Sequence, residues 1–174
     1  MHKVILFRGG MCGDLVLSMI DKKYVRSLYP LKHDKNRAIM KKFYKYSPTE
    51  KKNYLDKMHG HTLSHDTEFC KSIDEEQVIQ IVCSSEKLLT LLAKRFWTKN
   101  DASGVEHVKS DLHLTQTYKL EDDFRNWQDF YQFKHRFDIK NVFNKNFVSD
   151  VDNAFGVKNL AWSHTVHRIW LALQ

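Results

Sequence analysis

The chain has 174 residues, of which 42% are hydrophobic and 28% charged, with two prolines, three cysteines and a formal net charge of +7. That is the composition of a soluble globular protein, long enough for one domain with a substantial core and too short for two of ordinary size, so residues 1–174 are expected to form a single domain. No apolar run approaches the length needed to cross a bilayer, which sets aside a membrane partner, while the basic excess leaves polyanions open as partners.

The start of the chain carries the strongest local signal. Val4, Ile5, Leu6 and Phe7 read as a buried strand, Arg8-Gly9-Gly10-Met11-Cys12-Gly13 as a glycine-rich turn, and Asp14 to Ile20 as an amphipathic helix. The first N–H groups of such a helix have no intrahelical acceptor, so a sharp turn at the carboxyl end of a strand aims them at an anion. Val4 to Phe7 is too short for the apolar segment of a signal peptide and runs straight into glycines. Cys12, Cys70 and Cys83 are odd in number and irregularly spaced, which suits reduced thiols rather than a disulfide framework. Both observations point to the cytoplasm.

Between Lys32 and Lys57 the chain is densely basic, with Phe43, Tyr44, Tyr46 and Tyr54 interleaved. Such a mixture can stack on and neutralise a single nucleic-acid strand, and it is equally a helix with a solvated basic face and aromatics turned inward. Within it, Ser47-Pro48-Thr49-Glu50 is a helix start: a serine cap, a proline at the first position and a glutamate completing a capping box. This helix is expected to run to about Met58 and stop at Gly60. His61 to His65 alternates as a short strand, and Val78 to Cys83 is apolar at nearly every position, as in a strand covered on both faces. Ser84 or Ser85 caps the next helix, whose buried side is read as Leu88, Leu89, Leu91, Leu92 and Phe96. The polar stretch 98–117 reads as a loop insertion. Glu121 to Arg136 reads as a helix with Phe124, Trp127 and Tyr131 on one face, and Phe137 to Val142 as a further strand. Phe143, Phe147, Val151 and Phe155 recur every four residues ahead of Gly156, and Trp162, Val166, Ile169, Trp170 and Leu173 stripe a terminal helix.

Strands separated by helices in this order predict an α/β fold, a three-layer sandwich around a mainly parallel sheet. The layout resembles a reduced P-loop sulfotransferase. That resemblance implies that the first strand and loop hold the 5′-phosphosulfate of PAPS or the phosphates of another adenine nucleotide, and that the Val78–Phe96 unit meets the donor's 3′-phosphate. Over most of its length the chain is also similar to small marine cyanophage proteins with no assigned activity, which implies residence in the host cytoplasm. The sulfotransferase loop carries a lysine before its glycine and hydroxyl residues after it; here Met11, Asp14 and Leu15 stand there. The opening Ile5-Leu6-Phe7-Arg8, with Asp14 and Leu15-Val16 beyond, also resembles heptosyltransferase-like glycosyltransferases, in which the corresponding aspartate is a general base. Those enzymes use two nucleotide-fold halves, and this chain has room for one.

The candidate anion cradle is therefore Arg8 with the backbone of Gly9, Gly10, Met11, Cys12 and Gly13, joined by the hydroxyls of Ser84 and Ser85. Asp14 and His65 are the candidate proton carriers, Asp14 being also a helix-capping or dipole-offsetting carboxylate. His59, His61 and His65 beside Asp66 have ligand chemistry but no standard zinc spacing, so no metal is expected. His164 and His167 read as a helix face. The expected function is that of a divergent sulfotransferase-like protein that binds a phosphorylated or sulfated nucleotide, with sulfuryl or phosphoryl transfer as its reaction if it is an enzyme. The alternative is a nonenzymatic phage accessory protein that holds nucleic acid or a host protein through the Lys32–Lys57 surface.

Overall fold

The computed structural model describes residues 3–8, 10–22, 45–101 and 124–173, and side chains only as far as residue 93 within the third stretch. Gly9, the basic residues 32–44 and positions 102–117 of the expected insertion lie outside the described residues. The elements in chain order are β1 (Val4–Leu6), α1 (Gly13–Ile20), α2 (Pro48–Lys57), β2 (Thr62–Ser64), α3 (Thr67–Lys71), a 3-10 turn (Glu75–Gln77) and β3 (Val78–Val82). They continue with α4 (Glu86–Asp101), α5 (124–130 as described), β4 (Arg136–Asp138), α6 (Phe147–Phe155) and α7 (Leu160–Ala172).

The four strands form one all-parallel sheet in the order β2-β1-β3-β4. Val4 lies opposite Thr62 on one side and Val78 on the other, so β1 is an interior strand. Every residue of β1, β2 and β3 is buried. Alternate residues of a strand point to opposite faces, so both faces of the sheet are covered, the coarse arrangement of a three-layer α/β fold. From β1 the chain moves outward to β2, and from β3 it moves the other way to β4. The strand order therefore reverses between β1 and β3, the place where open α/β sheets form a crevice beyond the carboxyl ends of their strands.

Helix α1 is buried over most of its surface, with Leu15, Val16, Leu17 and Met19 in the core. Its end is held by α7: Trp162 Nε1 donates to the Ser18 carbonyl at 2.9 Å and Ser163 Oγ to the Met19 carbonyl at 2.7 Å. These donors satisfy carbonyls that the end of a helix leaves without partners, and they fix the axis of α1 so that its amino end meets the turn after β1. The Ser47 capping box forms as the sequence predicts, Glu50 N–H and Glu50 carboxylate both engaging Ser47. Gly156 (φ 64) terminates α6 in the left-handed conformation, also as predicted.

Several expectations need correction. Helix α2 runs to Lys57 with Met58 as its cap, the length expected, but what stops it is the extended Met58 and not Gly60. Residues 98–101 prolong α4 rather than open a loop. Leu91 is 47% exposed, because the turn of α4 carries it away from the sheet that buries Leu88, Leu89 and Leu92. Helix α5 stops at residue 130, and the last ladder strand shortens to Arg136–Asp138. Phe143 precedes α6 and rests, partly exposed, against Trp170 with ring centroids 5.3 Å apart.

His167 lies on the buried side of α7. It is buried between Phe147 and Trp170, and because a carbonyl only accepts, its Nε2 must be the protonated nitrogen, donating to the Val142 carbonyl at 2.7 Å. Burial pushes its pKa below the ordinary 6.5; the Val142 carbonyl pulls the other way and His164 adds to the lowering. As pH falls through 6.5 the unfolded chain takes up this proton before the folded one does, so the histidine's contribution to stability is complete above that pH and declines below it. Urea midpoints measured between pH 7.5 and 5 should fall more steeply for the wild type than for His167→Gln, which keeps an N–H donor and cannot titrate. Equal slopes would remove His167 as the cause.

Candidate functional site

The turn after β1 is built from two left-handed residues and one close contact. Gly10 has φ 93 and Cys12 has φ 58, the latter the sole non-glycine with positive φ among the described residues. Cys12 occupies the cap position of α1 with φ 58 and ψ 18, and its own side chain makes no capping hydrogen bond. A left-handed residue followed directly by the helical Gly13 turns successive N–H groups toward a common point, the geometry of an anion-binding nest. Gly13 is required for a different reason. A Cβ there would stand 2.4 Å from Cγ of Phe7, whose ring therefore lies directly on the first residue of the helix.

The predicted residues divide by what they now touch. Met11 is buried, so its side chain serves the core, and its N–H donates to the Arg8 carbonyl at 3.0 Å. One of the amides expected to face a phosphate is thus committed to the turn. Arg8 is exposed at the rim and Cys12 is half-buried. Asp14 is in the first turn rather than at the cap, where its carboxylate offsets the positive end of the helix dipole, and its carbonyl accepts from Ser18 Oγ at 2.7 Å. His65 follows β2 and reaches across to β1: its ring centroid lies 4.1 Å from that of Phe7, and its Nδ1 donates to the Phe7 carbonyl at 2.7 Å. Because a carbonyl only accepts, that bond requires a proton on Nδ1. The structure therefore brings Phe7, Gly13 and His65 together at the carboxyl end of β1 and β2.

Ser84 and Ser85 sit after β3, the neighbouring strand, but both hydroxyls have local work. Ser84 N–H and Ser84 Oγ both donate to the Asp138 carboxylate, and Ser85 Oγ accepts from Leu88 N–H at 3.3 Å as the cap of α4. Asp138 also accepts from Lys140 N–H at 3.0 Å. A phosphate competing for Ser84 would have to displace a carboxylate. Just before it, the Gln128 amide spans both backbone groups of Cys83, accepting from its N–H at 2.9 Å and donating to its carbonyl at 3.0 Å. Sequence reasoning missed Gln128 and Asp138, since neither has a local pattern that announces a partner so far along the chain.

The remaining candidates are structural. Asp66 caps α3 through Phe69 N–H at 2.9 Å and pairs with Lys51 at 2.6 Å. Burial works to raise its pKa, but the Lys51 ammonium and the Phe69 N–H together hold it below the ordinary carboxylate value. Lys51 is buried and lies 4.9 Å from the centroid of Phe69, so it is withdrawn from the basic surface expected of α2. His61 packs edge-on against Phe155 at 5.7 Å and His59 is exposed. Among the described residues no three His, Cys, Asp or Glu side chains converge as metal ligands, and no helix is long and apolar enough to cross a membrane. Burial pushes the Cys70 thiol up to about 12 and the Cys83 thiol up to about 11, so neither is a nucleophile near neutral pH.

Comparison of the chain with known protein families, with curated proteins and with solved structures finds no match. The chemistry of the site rests on its own residues.

Proposed function

We propose that the protein binds the phosphate or sulfate group of a nucleotide in the turn between β1 and α1, as a divergent relative of the P-loop sulfotransferases. The observation that carries this reading is that α1 begins on the left-handed Cys12, at the carboxyl end of an interior strand where the strand order reverses. Arg8 at the rim supplies positive charge, and the amides from Cys12 onward supply directed donors. Binding is the activity proposed. Transfer of a sulfuryl or phosphoryl group would in addition need a proton carrier, for which His65 and Asp14 are the residues beside the turn. Against close kinship with the active enzymes stand the missing lysine and hydroxyl residues and the engagement of Ser84 by Asp138.

A thermal-shift panel with PAPS, its desulfated product, ATP, GTP and a nucleotide sugar tests the proposal. At ten times its dissociation constant a true ligand stabilises by roughly 1.4 kcal/mol, which corresponds to about 3–6 °C for a chain of this size. Arg8→Ala, at an exposed position, should reduce that shift when each protein is compared with its own ligand-free melting. No shift with any of the five would remove the nucleotide reading. The nonenzymatic alternative is separated by salt, since a nucleic-acid contact through Lys32 to Lys57 would weaken steeply between low and physiological ionic strength.

A further inference from the structure

At the opposite edge of the sheet a cleft of about 550 Å³ opens between α3 and residues 129–133, walled by segments that lead into β3 and β4. Because all four strands are parallel, the amino-terminal edge they enter from is the edge away from the turn at residues 8–14. The cleft contains the most exposed large hydrophobic side chain among the described residues: Phe130, at 76%. An aromatic ring left in water at the mouth of a cleft contributes nothing to the core, and the groups around it indicate its use. Its ring meets Tyr131 edge-on with centroids 4.8 Å apart. The Lys71 ammonium lies over the pair, 4.7 Å from the Tyr131 centroid and 5.9 Å from that of Phe130. Glu75 and Asp129 line the same cleft, and Glu68 pairs with Lys71 at 3.1 Å. In a chain whose formal charge is +7, this is a local concentration of carboxylates.

We propose that the cleft is a binding site for an organic cation, an alkylated ammonium, which replaces Lys71 over Phe130 and Tyr131. The faces of aromatic rings carry negative charge density and attract a cation, most strongly one whose alkyl groups leave it weakly hydrated. The protein's own ammonium already occupies that position, which identifies the preference of the rings. Lys71 is the last residue of a short helix and its side chain is half exposed, so it can swing outward while its pair with Glu68 persists. Glu75 and Asp129 then balance the charge of the guest. An anion is disfavoured in the same cleft, because the Lys71 ammonium is paired with Glu68 and the carboxylates of Glu75 and Asp129 stand beside it.

Choline and its neutral isostere 3,3-dimethylbutan-1-ol are the probes, each titrated into the full chain while the aromatic resonances of Phe130 and Tyr131 are followed by NMR. Choline should give saturable shifts and bind about tenfold more tightly than the isostere, the size expected of a partly desolvated cation–π contact. Phe130→Ala, at an exposed position that does not threaten folding, should abolish most of that difference. Lys71→Met should tighten choline binding several-fold by removing the competing ammonium. Equal binding of the isostere, absence of saturable shifts, or weaker choline binding in Lys71→Met would each overturn the proposal. So would benzoate binding that depends on Lys71, which would make the cleft an anion site.

Discussion

Gln128→Leu is expected to destabilise the protein by about 1–3 kcal/mol for each of the two backbone groups it leaves without a partner. Gln128 and Cys83 are both buried, and the Gln128 side chain is the partner of both the Cys83 N–H and the Cys83 carbonyl. Leucine fills similar space, so the loss is one of hydrogen bonding and not of packing. The consequence extends to the candidate site. Cys83 is the last residue before Ser84 and Ser85, and the ladder between β3 and β4 closes just ahead of it at Val82 and Asp138. Releasing Cys83 loosens the entry to α4 together with the Ser84–Asp138 contact. Urea unfolding reads the effect as a lower midpoint at unchanged slope. An unfolding free energy within about 0.5 kcal/mol of wild type, the range of an ordinary surface change, would mean that water serves Cys83 as well as Gln128 does.

Gly13→Ala sets two effects of opposite sign against each other. By helix propensity alone, replacing a helical glycine with alanine stabilises by up to about 1 kcal/mol. Here the new Cβ would stand 2.4 Å from Cγ of Phe7, near the root of a side chain that is only 4% exposed and cannot swing away. His65 packs on the same ring at 4.1 Å, which closes a second direction of escape. Overpacking of this kind costs about 1–3 kcal/mol, and the clash is expected to win, with a net loss of stability and displacement of α1 from β1. Pairing Gly13→Ala with Phe7→Ala should show favourable coupling, since the methyl then enters space the ring has vacated. A stabilised Gly13→Ala single variant would show that the Phe7 ring does not lie on the helix start.

The parts of the fold that were legible in the sequence are those encoded over a few consecutive residues. The apolar runs of β1 and β3, the capping box at Ser47 and the Gly156 terminator each act within one turn or one strand, and each is found where the sequence puts it. The site was legible to the same depth: a strand, a glycine turn and a helix. What decides which of its groups face outward is long-range. Trp162 and Ser163 anchor α1 from 144 residues away in sequence, Asp138 captures Ser84 across 54 residues and Gln128 holds Cys83 across 45. A side chain that bonds a distant backbone group leaves no periodicity behind. Met11 shows the converse limit, since its place in the glycine turn suggested a role in the loop while its apolar side chain belongs to the core. His167 is the same case at the other end of the chain, a polar residue on a helical stripe whose partner, the Val142 carbonyl, lies outside the helix.

Anion binding in this protein is assigned to the amides at the start of α1. A two-dimensional 15N–1H spectrum of the full chain, titrated with PAPS and separately with inorganic sulfate, addresses it residue by residue. The amide resonances of Gly10 and of Cys12 through Leu15 should move together and saturate with both, at lower concentration with PAPS. If those resonances stay in place while Lys45 to Lys57 respond, the turn after β1 is not the anion site.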